Sequence, residues 1–359
     1  MKYISLMVLS LCATGRVFAQ SQAEIYVDEA WQGFSAPEIM SSGFKYRLAE
    51  LPTEGFFDAG TKAWSSTYWP SNKGSIGNRW NSPLKETFDY YSPNRDQVKR
   101  MSQEQIATLS PAEKYDLFLG RYDYPLKQIV YSSASKRAKD WAGICHGWAP
   151  AALNHSEPTP KTVVNPDGIA IPFGSADIKG VLSFYYAFYT DDQDTDQVGL
   201  RCYFGSWLGG ARGCNEDLNA GAFHIIIANK FGIQKEGFLV DVDRYNEIWN
   251  QPAYGYQTRV ISAWLPVSRG AASNAAYEVR VATDFYYTDE SDPTWNVVYG
   301  TKEQVITKVA YQYRLELDAM GNIVGGAWES ADRPDFLWNK HRATSFDGIY
   351  SRLPELLND

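Results

Sequence analysis

The chain has 359 residues, a formal net charge of −8 and 44% hydrophobic residues, which is enough for one large domain with its own core. Positive charges are dispersed and form no basic stripe, so nucleic acid is not expected as a partner. Aromatic residues make up 15% of the chain, with 12 Trp and 24 Tyr, and predict an aromatic core and aromatic pocket walls.

Residues 1–19 have the pattern of an export signal. Lys2 gives a positive start, Ile4 to Ala13 is apolar, and Val17-Phe18-Ala19 is a cleavage site before Gln20. The apolar run is too short to span a bilayer. The sequence therefore predicts a secreted or periplasmic protein without a stable membrane span. We expect an N-terminal extension at 20–60 and a catalytic domain at 61–359.

The first half of the remaining chain predicts irregular structure followed by helices. Aromatic residues alternate with turn formers from Trp64 to Trp80, which indicates an irregular layer packed on the core. A helix is predicted over 94–107, capped by Asn94. A second is predicted from Ser110, with Pro111 at its first position, and a third over 175–190.

The second half predicts strands, many of which alternate apolar and polar residues. They are expected at 223–228, 237–242, 257–265, 277–287, 308–317 and 323–328, with a hairpin turn at 318–322. Helices first and strands second indicate an α+β fold with an antiparallel sheet.

The number and spacing of the cysteines suggest one disulfide and one free thiol. Outside the export signal the chain has Cys145, Cys202 and Cys214. An odd number in an exported protein suggests one disulfide and one free thiol. Cys202 and Cys214 enclose a glycine-rich loop and are the expected pair; the alternative is that both stay reduced in a cytosolic protein. Cys145 is then free to act as a nucleophile.

Residues 141–151 (WAGICHGWAPA) surround this candidate nucleophile. Gly143 and Gly147 would let backbone N–H groups approach a substrate carbonyl, and a helix is expected to start just after the cysteine. The positive end of a helix lowers a thiol pKa. The alternative is a buried structural cysteine. Trp141, His146, Trp148 and Asn250 are expected to shape the site.

The thiol needs a base, and His224 is the preferred candidate because it starts a predicted strand after a turn. His146 adjoins the thiol in sequence, where neighbours cannot easily face each other, and His155 and His341 are further rivals. Asp241 is the first choice for the acid that orients the imidazole, and Asp243 is the alternative. The competing interpretations are that His224 is a structural histidine and that the acid caps a turn at the end of its strand.

Two metal sites are alternatives to this interpretation of the cysteine and the acidic residues. Cys145, His146 and His155 match no common zinc spacing. Asp192, Asp194 and Asp196 mimic the first three ligands of a calcium loop, but Gln197 replaces the glycine and the final glutamate is missing. A solvated acidic loop is the favoured interpretation, and the triad itself requires no cofactor.

These motifs, in this order, resemble the transglutaminase elicitor family of secreted oomycete proteins and bacterial relatives. The matching residues are Trp69-Pro70 with Ile76 and Trp80, Ser110 to Asp116, Cys145 to Ala151, Phe223-His224, Asp241 to Asp243, Ile248 to Pro252, Gly325 to Trp328 and Pro334 to Trp338. Arg333 departs from the family pattern, which has a histidine there.

The resemblance implies a papain-like fold and acyl transfer. Cys145 would attack a glutamine carboxamide of a protein or peptide donor, ammonia would leave, and a lysine or another primary amine would accept the acyl group. A glutamine deamidase or a cysteine peptidase would use the same triad. A non-catalytic secreted binding protein is the alternative of a different class.

Overall fold

The computed structural model describes residues 33–58, 60–190, 195–201, 218–245, 247–343 and 345–358. The helices within these ranges are α1 (Arg95–Val98), α2 (Gln103–Ala107), α3 (Pro111–Phe118), α4 (Pro125–Ser133), α5 (Cys145–Asn154), α6 (Ser175–Phe188) and α7 (Ala220–Ile227). A π-helical segment, Ala228–Gln234, continues α7. None of the described helices combines the length and the apolar character that crossing a bilayer requires.

The strands are β1 (Glu54–Phe56), β2 (Lys161–Val164), β3 (Ala170–Phe173), β4 (Thr195–Val198), β5 (Leu239–Asp241), β6 (Asn250–Leu265), β7 (Tyr277–Thr288), β8 (Ile306–Leu317), β9 (Ile323–Trp328) and β10 (Phe336–Lys340). The main sheet has the order β4-β10-β5-β6-β7-β8-β9, and β1 also pairs with β6. Its neighbouring strands are antiparallel, so the predicted combination of helices with an antiparallel sheet is confirmed.

The described residues form two large hydrophobic cores and a small third cluster of Ala149, Leu239, Phe336 and Trp338. The first core is formed by α3, α5 and α6 with the aromatic layer, in which Trp64, Trp69, Ile76 and Trp80 are buried as expected. The second core lies between α7 and the sheet. Met40, Phe44 and Leu51 of the N-terminal segment also pack in the second core. That segment is therefore built into the same sheet and core as the rest.

Side-chain caps explain where the early helices begin. Asn94 and Ser110 accept hydrogen bonds from Gln97 N and Glu113 N, and each forms a capping box, as the sequence predicts. The helix expected over 94–107 is instead divided into α1 and α2. The side chain of Ser102 caps the start of α2 by accepting a hydrogen bond from Gln105 N. This local hydrogen bond gives the backbone an alternative to one continuous helix.

The strand expected at 223–228 is wrong, because this segment belongs to α7. Asn219 caps the helix by accepting hydrogen bonds from Gly221 N and Ala222 N. Every residue of α7 is buried, since it is covered by the sheet on one side and the N-terminal segment on the other. A helix enclosed in this way is apolar all round, and its sequence cannot be distinguished from a buried strand by periodicity.

The remaining strand predictions are largely confirmed, although β6 starts at Asn250 rather than at 257. The predicted hairpin turn joins β8 to β9, where Gly321 N donates to Asp318 O and Gly321 has φ +82°. The export signal at 1–19 lies outside the described residues.

Candidate active site at Cys145

Cys145 is the first residue of α5. The backbone N–H of Ile144 donates to Tyr68 O at 2.7 Å, and Ile144 O accepts from Trp148 N at 2.9 Å. The expected helix therefore begins at the cysteine itself, and Pro150 lies inside it. The side chain is at the helix N-terminus and is only 5% exposed.

The two glycines beside Cys145 serve close packing. A Cβ on Gly147 would lie 2.1 Å from Ser183 O of α6, and one on Gly143 would lie 2.4 Å from Tyr68 O. Neither position has room for a side chain. The glycines thus let α5 approach α6 and the aromatic layer, which fixes the position of the thiol.

The thiol of Cys145 faces the start of β6. It donates to Ile248 O at 3.6 Å, and the side-chain Nδ2 of Asn250 lies 3.9 Å from Sγ. Asn250 Oδ1 accepts a hydrogen bond from Trp338 Nε1 at 2.9 Å. The Trp338 indole therefore orients the amide so that its N–H groups point to sulfur.

Burial controls the charge state of this thiol. It raises the pKa of Cys145 to about 11, against lowering contributions from the backbone and side-chain amides of Asn250. Nearby Glu290 and Asp241 raise this pKa further. The low thiol pKa expected from a helix N-terminus is not found, because desolvation disfavours the thiolate more strongly. The thiol is protonated at neutral pH in this conformation.

Of the two candidate acids, Asp241 is the one whose ionised form would raise the pKa of the Cys145 thiol, although Asp241 is itself largely protonated at neutral pH. It is fully buried on β5, and its Oδ1 accepts from Trp249 N at 2.9 Å. Its Oδ2 has no hydrogen-bond partner among the described residues. Burial raises the pKa of Asp241 to about 8. Asp243 lies beyond the end of β5, is partly exposed and accepts from Tyr245 N at 2.9 Å.

His224 lies on α7 within the second core, whereas Cys145 packs in the first core. Its Nδ1 is 2.9 Å from the hydroxyl of Tyr313, which continues to Thr283 Oγ1 at 2.7 Å. Burial lowers the pKa of His224 to about 4, so the imidazole is neutral. The described hydrogen bond of this ring is thus with Tyr313 of β8. The hydrogen bonds of the thiol are with Asn250 of β6 and with Ile248, two residues before that strand.

The other residues predicted to shape the site make their described contacts with residues other than Cys145. Trp148 is fully buried and donates to Trp64 O at 3.2 Å, while Trp141 is half-buried in the turn before α5. The ring of His146 lies edge-on to Phe188, with centroids 6.0 Å apart.

The remaining histidines lie elsewhere in the fold. His155 Nε2 is 2.9 Å from Tyr186 Oη in the first core, and His341 is exposed, with Nε2 3.8 Å from Asp196 Oδ2. No group of three potential ligands that could hold a metal ion is found in the part of the chain that the structure describes.

Sequence reasoning missed the roles of Glu290 and Trp338. Glu290 is mostly buried, its Oε1 accepts from Gln251 Nε2 at 2.8 Å, and burial with neighbouring Asp289 raises its pKa to about 8. No motif singles it out, because it lies in a polar stretch after β7. Trp338 stood in a matching motif, but only the fold shows that it contacts Asn250.

Several of the residues singled out in the sequence lie outside the described ranges. Cys202, Cys214, Asp192 and Asp194 lie there, so the disulfide and the calcium loop remain predictions. Asp196 is described, on β4.

Comparisons with known proteins agree with the sequence motifs. The model of a family described as transglutaminase elicitor matches residues 132–351. The crystal structure of the GP42 transglutaminase from Phytophthora sojae is similar in fold, with a TM-score of 0.65 and 23% sequence identity over 92% of this chain and 96% of that chain. No curated protein matches.

Proposed function

This chain belongs to the transglutaminase elicitor family, and we propose that it is a thiol acyltransferase that forms an acyl-enzyme at Cys145. The contact between Cys145 Sγ and the oriented amide of Asn250 is the observation that carries this proposal. A buried structural cysteine needs no such donor, whereas a nucleophile benefits from a fixed dipole beside the developing charge.

The proposed reaction has two halves. Sγ loses its proton and attacks the carboxamide carbon of a glutamine side chain; the C–N bond breaks, and the nitrogen leaves as ammonia after taking a proton. A primary amine then attacks the thioester, which forms an amide and returns the electron pair and a proton to sulfur. The Asn250 N–H groups would donate to the oxyanion or to the thiolate.

His224 is the base that the sequence predicts, with Asp241 as the acid that would orient it. A pKa near 4 keeps the imidazole of His224 neutral, but it also makes that imidazole a weak base for a thiol whose pKa is about 11. The geometry gives this role no support in the present conformation, since the ring is bonded to Tyr313. Proton transfer to His224 would require the ring to leave Tyr313 and reach the thiol.

Apolar and aromatic surroundings favour an amine over water as the acceptor. Tyr68 and Trp249 pack edge to face with centroids 5.6 Å apart, and Trp338 is also buried beside Asn250. Exclusion of water slows hydrolysis of an acyl-enzyme. We therefore place transglutamination ahead of deamidation and peptide cleavage.

The finer fold class and the location belong to the same proposal. A cysteine at the N-terminus of a buried helix that packs on an antiparallel sheet is the arrangement of papain-like enzymes, which supports that fold class. The predicted export signal and the family's secreted members support a location outside the cytoplasm.

The test is mass spectrometry of a glutamine peptide incubated with the purified protein, with and without a fluorescent primary amine. Loss of ammonia with gain of the amine is expected, and Cys145→Ala should abolish it. Gain of water would assign a deamidase, and backbone cleavage a peptidase. No product from the unmodified protein would favour the non-catalytic binding protein.

Two variants test the assignments around the thiol. Cys145→Ser keeps a side chain of similar size and controls for folding, which is followed by circular dichroism. His224→Asn keeps an acceptor near the position of Nδ1 and therefore the bond to Tyr313. Amine incorporation that survives His224→Asn would remove His224 from the mechanism and leave the Cys145 proposal intact.

A further inference from the structure

The β6–β7 tip, defined here as residues 257–277, exposes apolar side chains on both faces. The inner part of β6 is buried, but from Gln257 onward the residues are exposed or only partly covered. Val260, Ile261, Trp264 and Val267 are large apolar side chains that are exposed here, Trp264 most of all. An exposed apolar patch of this kind marks an interaction surface.

Trp264 is presented to solvent by a costly backbone. Its indole is 75% exposed, and its φ of +58° lies in the left-handed region that side chains other than glycine seldom adopt. The ring stacks on Tyr277 with centroids 4.3 Å apart. Backbone strain and an exposed apolar ring both cost folding stability, so their combination indicates that Trp264 contacts another molecule.

Irregular strand pairing aims these side chains outward. The β6–β7 register shifts between Val260 and Ser262, and again between Ser262 and Leu265. Each shift adds twist and redirects the neighbouring side chains. The tip also borders a groove of about 430 Å³ whose far side is the β8–β9 turn, where Met320 is 74% exposed.

The charges at the tip are of one sign. The sequence from Thr258 to Tyr277 contains Arg259 and Arg269 but no Asp or Glu, in a chain with a net charge of −8. Both arginines are exposed. The tip therefore combines outward positive charge with outward apolar surface.

The acidic groups near the tip are held by contacts within the chain, and they include the exposed Glu54, whose Oε2 accepts from Gln257 Nε2 at 3.2 Å. Glu278 is buried and accepts from Ser268 N at 2.7 Å and Arg314 Nη1 at 3.1 Å. Glu316 is buried and accepts from Ala272 N at 2.9 Å. Asp318 in the β8–β9 turn accepts from Asn322, and Glu50 lies 3.8 Å from Arg47.

We propose that the β6–β7 tip docks on the surface of an anionic lipid bilayer. Trp264, Val260 and Ile261 would enter the headgroup region, where the indole N–H stays hydrated while the ring is buried among lipids. Arg259 and Arg269 would face the acidic headgroups, which attract cationic side chains near the surface. A symmetric dimer through this patch is disfavoured because it would bring the arginines of two copies together.

Docking would leave the thiol site accessible. Asn250 and Trp264 lie at opposite ends of β6, 14 residues apart, which corresponds to roughly 40 Å along a twisted strand. The tip can thus hold the protein at a membrane while Cys145 acts on a substrate beyond it. The inference does not depend on the acyltransferase activity, and binding can be measured with Cys145→Ala.

The experiment is co-sedimentation of the purified protein with vesicles of phosphatidylcholine alone or with one third phosphatidylglycerol. Binding to the anionic vesicles is expected to exceed binding to the neutral ones by about tenfold and to weaken with added salt. Trp264→Ala and the double variant Arg259→Glu with Arg269→Glu should each reduce it by about tenfold.

Leu84→Ala is the matched control, since Leu84 is 78% exposed at another position of the chain. All variants contain the same residues 1–32, so any binding of vesicles by that segment is equal in all of them, and a difference between variants is due to the tip. Thermal unfolding checks that each variant is folded. Equal binding by the control and both tip variants would overturn the proposal. So would absent binding to anionic vesicles, or a concentration-dependent dimer lost in Trp264→Ala.

Discussion

Trp338 donates its indole N–H to the side-chain oxygen of Asn250 at 2.9 Å, and this bond directs the amide nitrogen of Asn250 toward Cys145 Sγ, 3.9 Å away. Three separate elements, α5, β6 and β10, meet in this contact. The arrangement makes Trp338 a positioning residue for the proposed reaction, although it does not touch the sulfur.

Replacing Trp338 by Phe should lower kcat for amine incorporation by about five- to tenfold, with little change in KM. The ring volume is largely kept, but the amide of Asn250 loses the hydrogen bond that orients it, which is worth about 1 kcal/mol. Steady-state kinetics with a glutamine peptide and a primary amine measures the effect.

Trp328→Phe is the control for that variant. Trp328 Nε1 donates to Leu218 O at 2.6 Å in the second core, so the same kind of bond is lost away from the thiol. An equal fall of kcat in both variants would mean that Trp338 acts only through stability.

Asp241 should make the protein less stable as the pH rises. Burial raises the pKa of its folded form to about 8 from the ordinary 3.8, so the folded state holds a proton that the unfolded state releases. Stability from this group is complete below pH about 4 and is lost as the pH approaches 8, with a slope on the order of 1 kcal/mol per pH unit at most.

Urea unfolding at pH 5, 6.5 and 8 measures this slope. Asp241→Asn should flatten the dependence, because the amide stays neutral throughout. Asp58→Asn is the control, since Asp58 is exposed. A slope that is unchanged in Asp241→Asn would show that the carboxyl group is not buried as a neutral acid.

His224 should have the opposite pH effect. Burial lowers the pKa of the folded imidazole to about 4 from the ordinary 6.5, so the unfolded state binds the extra proton. Stability from this group is complete above pH about 6.5 and is lost as the pH falls toward 4.

His224→Asn keeps a polar contact to Tyr313 and cannot be protonated, so the loss of stability that His224 causes between pH 6.5 and 4 should be absent from this variant. The same urea series, extended to pH 4.5, tests this. A variant that is as acid-sensitive as the unmodified protein would contradict a neutral buried imidazole.

The ion pair of Lys114 and Asp177 is fully buried, with Nζ 2.5 Å from Oδ2. Asp177 Oδ1 also accepts from Trp80 Nε1 at 2.8 Å. Lys114→Met should destabilise the fold by about 3–5 kcal/mol, because it leaves the acid buried without its counter-charge. Chemical unfolding measures the change.

The double variant Lys114→Met with Asp177→Asn should recover part of that loss, since no charge remains. Lys136→Met is the surface comparison: Lys136 pairs with Asp89 where both side chains are exposed, so a change below about 1 kcal/mol is expected. Equal losses from Lys114→Met and Lys136→Met would contradict the role of burial.

Local patterns predicted those elements whose signals lie in a few neighbouring residues. Asn94 and Ser110 mark helix starts through their own side chains, and the strand predicted at 323–328 after the hairpin turn has the bounds of β9. The sequence predicts a strand over 223–228, because a buried helix and a buried strand both appear as a continuous apolar run. The segment is helical because it packs against β8 and β9, which are distant in the sequence.

The family, the combination of helices with an antiparallel sheet, and Cys145 as the candidate nucleophile can all be predicted from contiguous motifs and residue periodicity. The side chains that contact the thiol cannot be predicted in this way. Asn250 and Trp338 reach it from strands far along the chain, and His224 bonds to Tyr313 instead. The physical reason is that burial and contact depend on how distant elements pack, and packing also sets the pKa of each group.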